Sequence, residues 1–321
     1  MDFTVAIPTF NGAARLPLLL DRLQEQQDLQ KYSCEVIIVD NNSTDQTKNV
    51  VESYQHRFCC TLKYCHEPKQ GAAHARHLAI RESKSDLVGF LDDDNIPEPN
   101  WVKEAILFGG SHPHVGAFGS RIQGDFEIDP PQNFDKISFF LAITELGDKP
   151  LIYSPQKKML PPTAGLVVRK NVWIQYVSVN QFLSGPTTDI NLNSEDLEIL
   201  LDMQKAGYEI WYNPLMKITH KIPAARLTRK GLLKTIRGTG LARHYIRMKR
   251  YSPWLRPVIF IVAWTKDLWN LVVFYIKHQK LLATDVVKAC QLEFLRSTVI
   301  SPFYLSYLSV GNLTKGLKKL P

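Results

Sequence analysis

Residues 87–97 read LVGFLDDDNIP. A short apolar run, Leu87 to Leu91, stops at three consecutive aspartates, Asp92, Asp93 and Asp94, and Asn95-Ile96-Pro97 follows. The pattern predicts a strand whose carboxyl end is a cluster of acids. Three more strands are predicted upstream, at Thr4–Pro8, Glu35–Asp40 and Leu62–His66. Helical patterns separate them: about Ala13 to Gln26, from the capping residues Ser43-Thr44-Asp45 through about His56, and about Gly71 to Glu82. Strands alternating with helices predict an α/β fold, a mostly parallel sheet with helices on both faces.

In such a sheet, ligands bind outside the carboxyl ends of the strands. Three strands end in polar tips: Thr9-Phe10-Asn11, Asp40-Asn41-Asn42 and Asp92-Asp93-Asp94. Any one is an ordinary turn sequence, but three at one edge predict a crevice. No G-x-G-x-x-G follows the first strand, and neither a G-x-x-x-x-G-K-[ST] loop nor a G-x-S-x-G elbow occurs. Dinucleotide, P-loop and serine-hydrolase chemistries therefore lose their sequence support. Carboxylates repel a bare phosphate, so a divalent cation is expected between them and a diphosphate. Asp92 and Asp94, spaced i, i+2, suit Mg²⁺ or Mn²⁺.

With 45% apolar and 22% charged residues in 321, the chain is globular, neither disordered nor coiled-coil. Its five Cys include no C-x-x-C pair, and no basic, apolar leader opens the sequence; both predict a reducing, cytoplasmic setting. Charge is divided unevenly. From Lys221 to Pro321 there are 19 Lys/Arg against three acids, Asp267, Asp285 and Glu293, a net +16, whereas the first 220 residues carry −8. Residues 254–276 read WLRPVIFIVAWTKDLWNLVVFYI. On a helix, Lys266, Asn270 and Lys277 fall within roughly 40° of one another, with Arg256 and Asp267 nearby. Three placements stay open: an interfacial helix, a core helix and a membrane span. The span would carry Lys and Asp near the bilayer centre at roughly 2.5–3.5 kcal/mol each. A second apolar stretch, 299–313, is interrupted by Pro302, and Lys315, Lys318 and Lys319 close the chain. Basic clusters around Trp/Tyr-rich apolar segments favour an anionic membrane surface as partner and no nucleic acid.

VAIPTFN at 5–11, VDNNSTD at 39–45, KQGAAHARH at 69–77 and FLDDDN at 90–95 together resemble, in order and spacing, family 2 glycosyltransferases of the Rossmann-like GT-A fold. PPTAGLVVRKNVW at 161–173 and NLNSEDLEILLDMQKAGYEIWYNP at 191–214 are similar to that family's acceptor-side segments. The run THKIPAARLTRKGLL at 219–233 resembles members that build bacterial surface polysaccharides. The resemblance implies a catalytic domain over 1–228; charge and apolar content lead us to expect a basic, apolar helical region over 229–321 that associates with the inner face of the plasma membrane. It implies an inverting, metal-dependent enzyme moving a sugar from a nucleotide-sugar, a UDP-sugar, to a polysaccharide or lipid-linked acceptor.

Site residues follow from the matched motifs. The resemblance places Thr9, Asn11, Asp40, Arg76, Asp92 and Asp93 on the donor, and Asp94 on the metal with Asp92 and His220. Asp196, in Ser194-Glu195-Asp196, is the expected catalytic base. Arg76 stands in ARH where the family usually has ARN. Physical chemistry agrees: forming the new C–O bond requires a carboxylate to take the acceptor hydroxyl's proton, and the departing diphosphate requires positive charge. Two alternatives remain at this level: a nucleotidyltransferase, which shares Asp pairs and Mg²⁺, and a non-catalytic carbohydrate- or lipid-binding scaffold.

Overall fold

In the computed structural model, residues 1–154, 159–179, 181–183, 192 and 194–317 are described here. They fall into two compact units: 1–127, 142–187 and 195–222 in the first, and 128–141, 188–194 and 223–321 in the second.

The first unit is a sheet with order β3-β2-β1-β4-β8-β6-β9-β5. Its first four strands are the predicted ones: β1 (Phe3–Thr9), β2 (Cys34–Asp40), β3 (Thr61–His66) and β4 (Leu87–Phe90), all parallel. The far half is mixed. β8 (Val167–Arg169) runs antiparallel to β4 and to β6 (Val115–Phe126), while β9 (Glu209–Ile222) is parallel to β6. β5 (Asn95–Pro97) and β7 (Leu151–Ile152) each pair antiparallel with β9. The sheet is therefore mixed, with its parallel half where βα alternation was legible.

Strand residues alternate between two cores, which explains why the runs read as almost continuously apolar. Phe3, Val5, Ile7, Val36 and Ile38 face a core with α1 (Leu16–Gln24), α2 (Thr47–Gln55) and α4 (Trp101–Ser111). Ala6, Ile37, Val39, Val88 and Phe90 face another with α3 (Ala72–Glu82), α5 (Lys170–Tyr176) and α6 (Glu195–Lys205).

Two helix starts differ from expectation. α1 begins at Leu16, because Gly12–Arg15 is a turn closed by Arg15 N–H on the Gly12 carbonyl. α2 begins at Thr47, and the residues expected as its caps are partly diverted. Asp45 Oδ1 accepts from Thr47, but Asp45 Oδ2 and Ser43 Oγ accept from the backbone of Ala13 and Asn11. Side chains read as local caps thus latch the β1 and β2 tips together.

The second unit is helical: α7 (Ala224–Leu227), α8 (Arg229–Lys249), α9 (Arg256–His278) and α10 (Val286–Leu317). Thr228 caps α8 by accepting from Gly231 N–H. The apolar stretch interrupted by Pro302 lies inside α10, which continues through that residue. Gly240 lets α8 approach α10 closely, since a Cβ there would stand 2.0 Å from Ser297 Oγ. From the 128–141 segment, Phe140 stacks edge-on against Phe294 at 5.0 Å.

Candidate active site

The three polar strand tips do meet at one edge of the first unit. At the β1 tip, Thr9 Oγ1 donates to Asp93 Oδ2 at 2.6 Å. Arg15 clamps the same carboxylate as a fork, Nε to Oδ1 at 2.7 Å and Nη2 to Oδ2 at 2.9 Å. The middle aspartate therefore ties β1 to β4. A Cβ at Gly12 would lie 2.0 Å from Thr9 Oγ1 and 2.8 Å from Asp93 Oδ2, so the clamp closes over a position only glycine can fill. Asn11, at φ 50°, donates its N–H to Ser43 Oγ and accepts at Oδ1 from Thr44 N–H, both at 2.8 Å.

At the β2 tip, Asp40 is buried with both oxygens engaged. Oδ1 accepts from Ser43 N–H at 2.9 Å, and Oδ2 accepts from Tyr64 OH on β3 at 2.7 Å. Burial and this carboxylate together raise the Tyr64 hydroxyl above its ordinary range, keeping it a donor.

The acids after β4 form a tight turn. Asn95 Oδ1 accepts from Asp92 N–H at 3.0 Å, and Asn95 Nδ2 donates to Asp94 Oδ1 at 3.0 Å. Antiparallel register sets Asn95 opposite His220, which brings His220 Nε2 to 3.4 Å from Asp94 Oδ2. Residues 126 apart in sequence are joined by strand pairing alone.

Arg76, on α3, is buried with its side chain 5% exposed. Its Nη1 donates to Glu195 Oε1 at 2.9 Å, and Nη2 stands 3.9 Å from Asp92 Oδ1. Nε is buried with no hydrogen-bond partner among the described residues. The neighbouring His77 explains the departure from the resembled motif, since its Nδ1 accepts from Trp173 Nε1 at 3.1 Å and its ring meets that indole edge-on.

Asp196 sits in the first turn of α6, where a helix N-terminus favours negative charge. Its Oδ2 accepts from Thr163 N–H at 3.2 Å and its Oδ1 from Leu197 N–H at 3.0 Å. Burial first, then the Glu195 charge, pushes its carboxyl up to about 6, against the pull of Arg76 and the two N–H groups. Asp92 is also raised, by loss of water around its carboxylate and then by the charges of Asp94 and Asp93, with Arg76 and His220 opposing. The loop that presents Thr163 turns at Gly165, whose φ of 66° leaves a Cβ only 2.5 Å from Ser120 Oγ.

Of the expected metal residues, the structure brings the Asp94 carboxylate and the His220 imidazole together, donor types suited to Mn²⁺ or Mg²⁺. Among the described residues no group of three His, Cys, Asp or Glu is arranged to hold a metal ion, so Asp92 does not complete a three-residue set with them. Arg15, Tyr64, Thr163 and Glu195 escaped sequence reasoning. Glu195 was signalled by its place beside Asp196, but nothing local pairs Arg15 with an acid 78 residues on.

The sequence model of glycosyl transferase family 2 matches residues 4–168. The poly(ribitol-phosphate) beta-N-acetylglucosaminyltransferase TarS of Staphylococcus aureus is 31% identical over 136 residues, 42% of this chain and 23% of that protein. The pre-mycofactocin glycosyltransferase of Mycobacterium tuberculosis is 26% identical over 68% of this chain and 42% of its own. The chain thus spans well under half the length of these relatives. Among solved structures, the mannosyltransferase PcManGT of Pyrobaculum calidifontis, in complex with GDP-Man and Mn²⁺, superposes with a TM-score of 0.60 at 17% identity, covering 94% of this chain and 86% of that one.

Proposed function

The chain belongs to glycosyl transferase family 2, and from that premise we propose that it moves a sugar from a UDP-sugar, with inversion and metal dependence, to a polysaccharide or lipid-linked acceptor. The nucleotidyltransferase and scaffold alternatives give way to this membership. The carrying observation is Arg76, whose guanidinium faces Glu195, next to Asp196, on one side and Asp92 on the other. It links Glu195, beside the proposed acceptor base, through a buried ion pair to the more exposed Asp92 among the donor-side acids.

In this reading Asp196 accepts the proton of the acceptor hydroxyl as its oxygen bonds to the anomeric carbon, while the bond to the diphosphate oxygen breaks and the diphosphate leaves with the electron pair. The N–H groups of Thr163 and Leu197 hold the carboxylate in place for that transfer. Asp94, with His220, would hold the divalent cation, which when bound neutralises charge on the departing diphosphate. Thr9, Asn11 and Asp40 form the nucleoside side of the cradle, and Asp93, fixed by Arg15, braces it. Arg76 serves the donor through Asp92. The catalytic domain is residues 1–228, and the basic helical region 229–321 holds the enzyme to an anionic membrane on its cytoplasmic side.

Calorimetric titration with UDP and GDP, with and without Mn²⁺, tests the donor half. Metal-dependent binding selective for UDP and lost in Asp94→Ala is expected; absence of nucleotide binding under every condition overturns the proposal, and GDP selectivity overturns the choice of donor. A pH profile tests the base. Because Asp196 must be ionised and its carboxyl lies at about 6, kcat/KM is expected to be level above that value and to fall about tenfold per pH unit below it. A flat profile down through the ordinary carboxylate range removes Asp196 from that role.

A further inference from the structure

Within the second unit, Pro253–Leu281 is long and apolar enough to cross a membrane by length and composition. How its helix packs bears on whether it does. One side of α9 is held by its neighbours along its length. Phe260 meets His244 of α8 edge-on, Trp264 Nε1 donates to the Val299 carbonyl of α10 at 3.1 Å, and Lys288 lies over the Phe274 ring at 5.6 Å. Asp267 pairs with Arg247 of α8 at 2.6 Å. This splits the polar stripe expected on the helix: Asp267 turns inward, while Lys266, Asn270 and Lys277 stay exposed.

The opposite side is apolar and uncovered. Val258, Ile261, Val262, Trp269, Val272 and Ile276 are all exposed, Ile261 by 61%, Trp269 by 69% and Ile276 by 64%. Helices of soluble domains place their polar face outward and their apolar face inward; α9 has apolar groups on both, with Lys266 and Lys277 along one border of the outer one.

A crossing is disfavoured by α8. Arg247 is level with Asp267 near the middle of α9, and Arg243 and Arg237 lie beside Phe294 and Glu293 of α10. Since α8 and α9 both pack on the 288–303 stretch of α10, a spanning α9 would carry these guanidiniums into hydrocarbon. Lying flat, it leaves them on the protein side.

Resting on the membrane reading above, we propose that α9 lies in the plane of one anionic leaflet, its outer face at the acyl boundary and Lys266 and Lys277 among the headgroups, without crossing. Charge complementarity selects the occupant: 19 Lys/Arg against three acids over residues 221–321 suit anionic lipid better than a second, equally basic copy of the chain.

Flotation of the full chain with phosphatidylcholine vesicles, with and without phosphatidylglycerol, tests this. Binding is expected to rise at least about tenfold with the anionic lipid and to weaken in high salt. Ile261→Asp with Ile276→Asp should lower it at least about tenfold further, with UDP titration unchanged. Alkaline carbonate should release the bound protein. Undiminished binding by the double variant, or retention after carbonate, overturns the proposal. So does a lipid-free dimer that the same variant dissolves, coupled with no vesicle binding. The UDP titration reads the donor proposal separately, so failure of one leaves the other standing.

Discussion

Asp196→Asn is expected to lower kcat by roughly 10²–10⁴-fold while leaving UDP binding intact. The substitution is nearly isosteric. An Asn oxygen can still accept from Thr163 or Leu197 N–H, so the first turn of α6 keeps its geometry. It cannot take a proton from a hydroxyl. Among the described residues none of the contacts of Asp196 involves Thr9, Asp40 or Asp93, so the nucleoside side of the site keeps its geometry. Steady-state rates with a UDP-sugar, alongside calorimetry on the same protein, separate the two effects. A kcat within a few-fold of wild type would place the base elsewhere.

Arg76→Ala is expected to cost stability rather than to act on the chemistry alone. The guanidinium and the Glu195 carboxylate are 5% and 9% exposed, and their 2.9 Å contact spans 119 residues of sequence. Removing the cation leaves Glu195 buried without its partner and Asp196 beside an uncompensated charge. Breaking such a pair from one side typically costs about 3–5 kcal/mol. Asp92 adds little to this, since its side chain is 41% exposed at 3.9 Å. Urea unfolding of Arg76→Ala, Glu195→Gln and the double variant forms the test. The double variant should lose clearly less than the sum of the singles, because neither leaves an orphaned charge once both are gone. A loss below about 1 kcal/mol for Arg76→Ala would show that water already satisfies Glu195.

The strongest and weakest parts of the sequence reading have one physical origin. βα alternation is local: each strand and its following helix lie within about 30 residues, so β1 to β4 and their polar tips could be placed from pattern alone. The antiparallel half could not. β8, β6, β9 and β5 pair across long separations, and their apolar runs say nothing about partner or direction. The same limit explains the helix starts, where Ser43 and Asp45 carry good capping chemistry yet are partly used by the β1 tip, a competitor only folding brings near.

The sequence by itself determined the residue types and their edge: Thr9, Asp40, the three aspartates and Asp196 are legible because short motifs at strand and helix ends carry them. Tertiary structure alone decided how they are held. Arg15 grips Asp93, Tyr64 grips Asp40, Arg76 spans Glu195 and Asp92, and strand register carries His220 to Asp94. Only the packing of α9 between its neighbours separated an inward Asp267 from an outward apolar face. A motif records a side chain's chemistry, whereas partners 16 to 126 residues apart are chosen by which surfaces the buried cores press together.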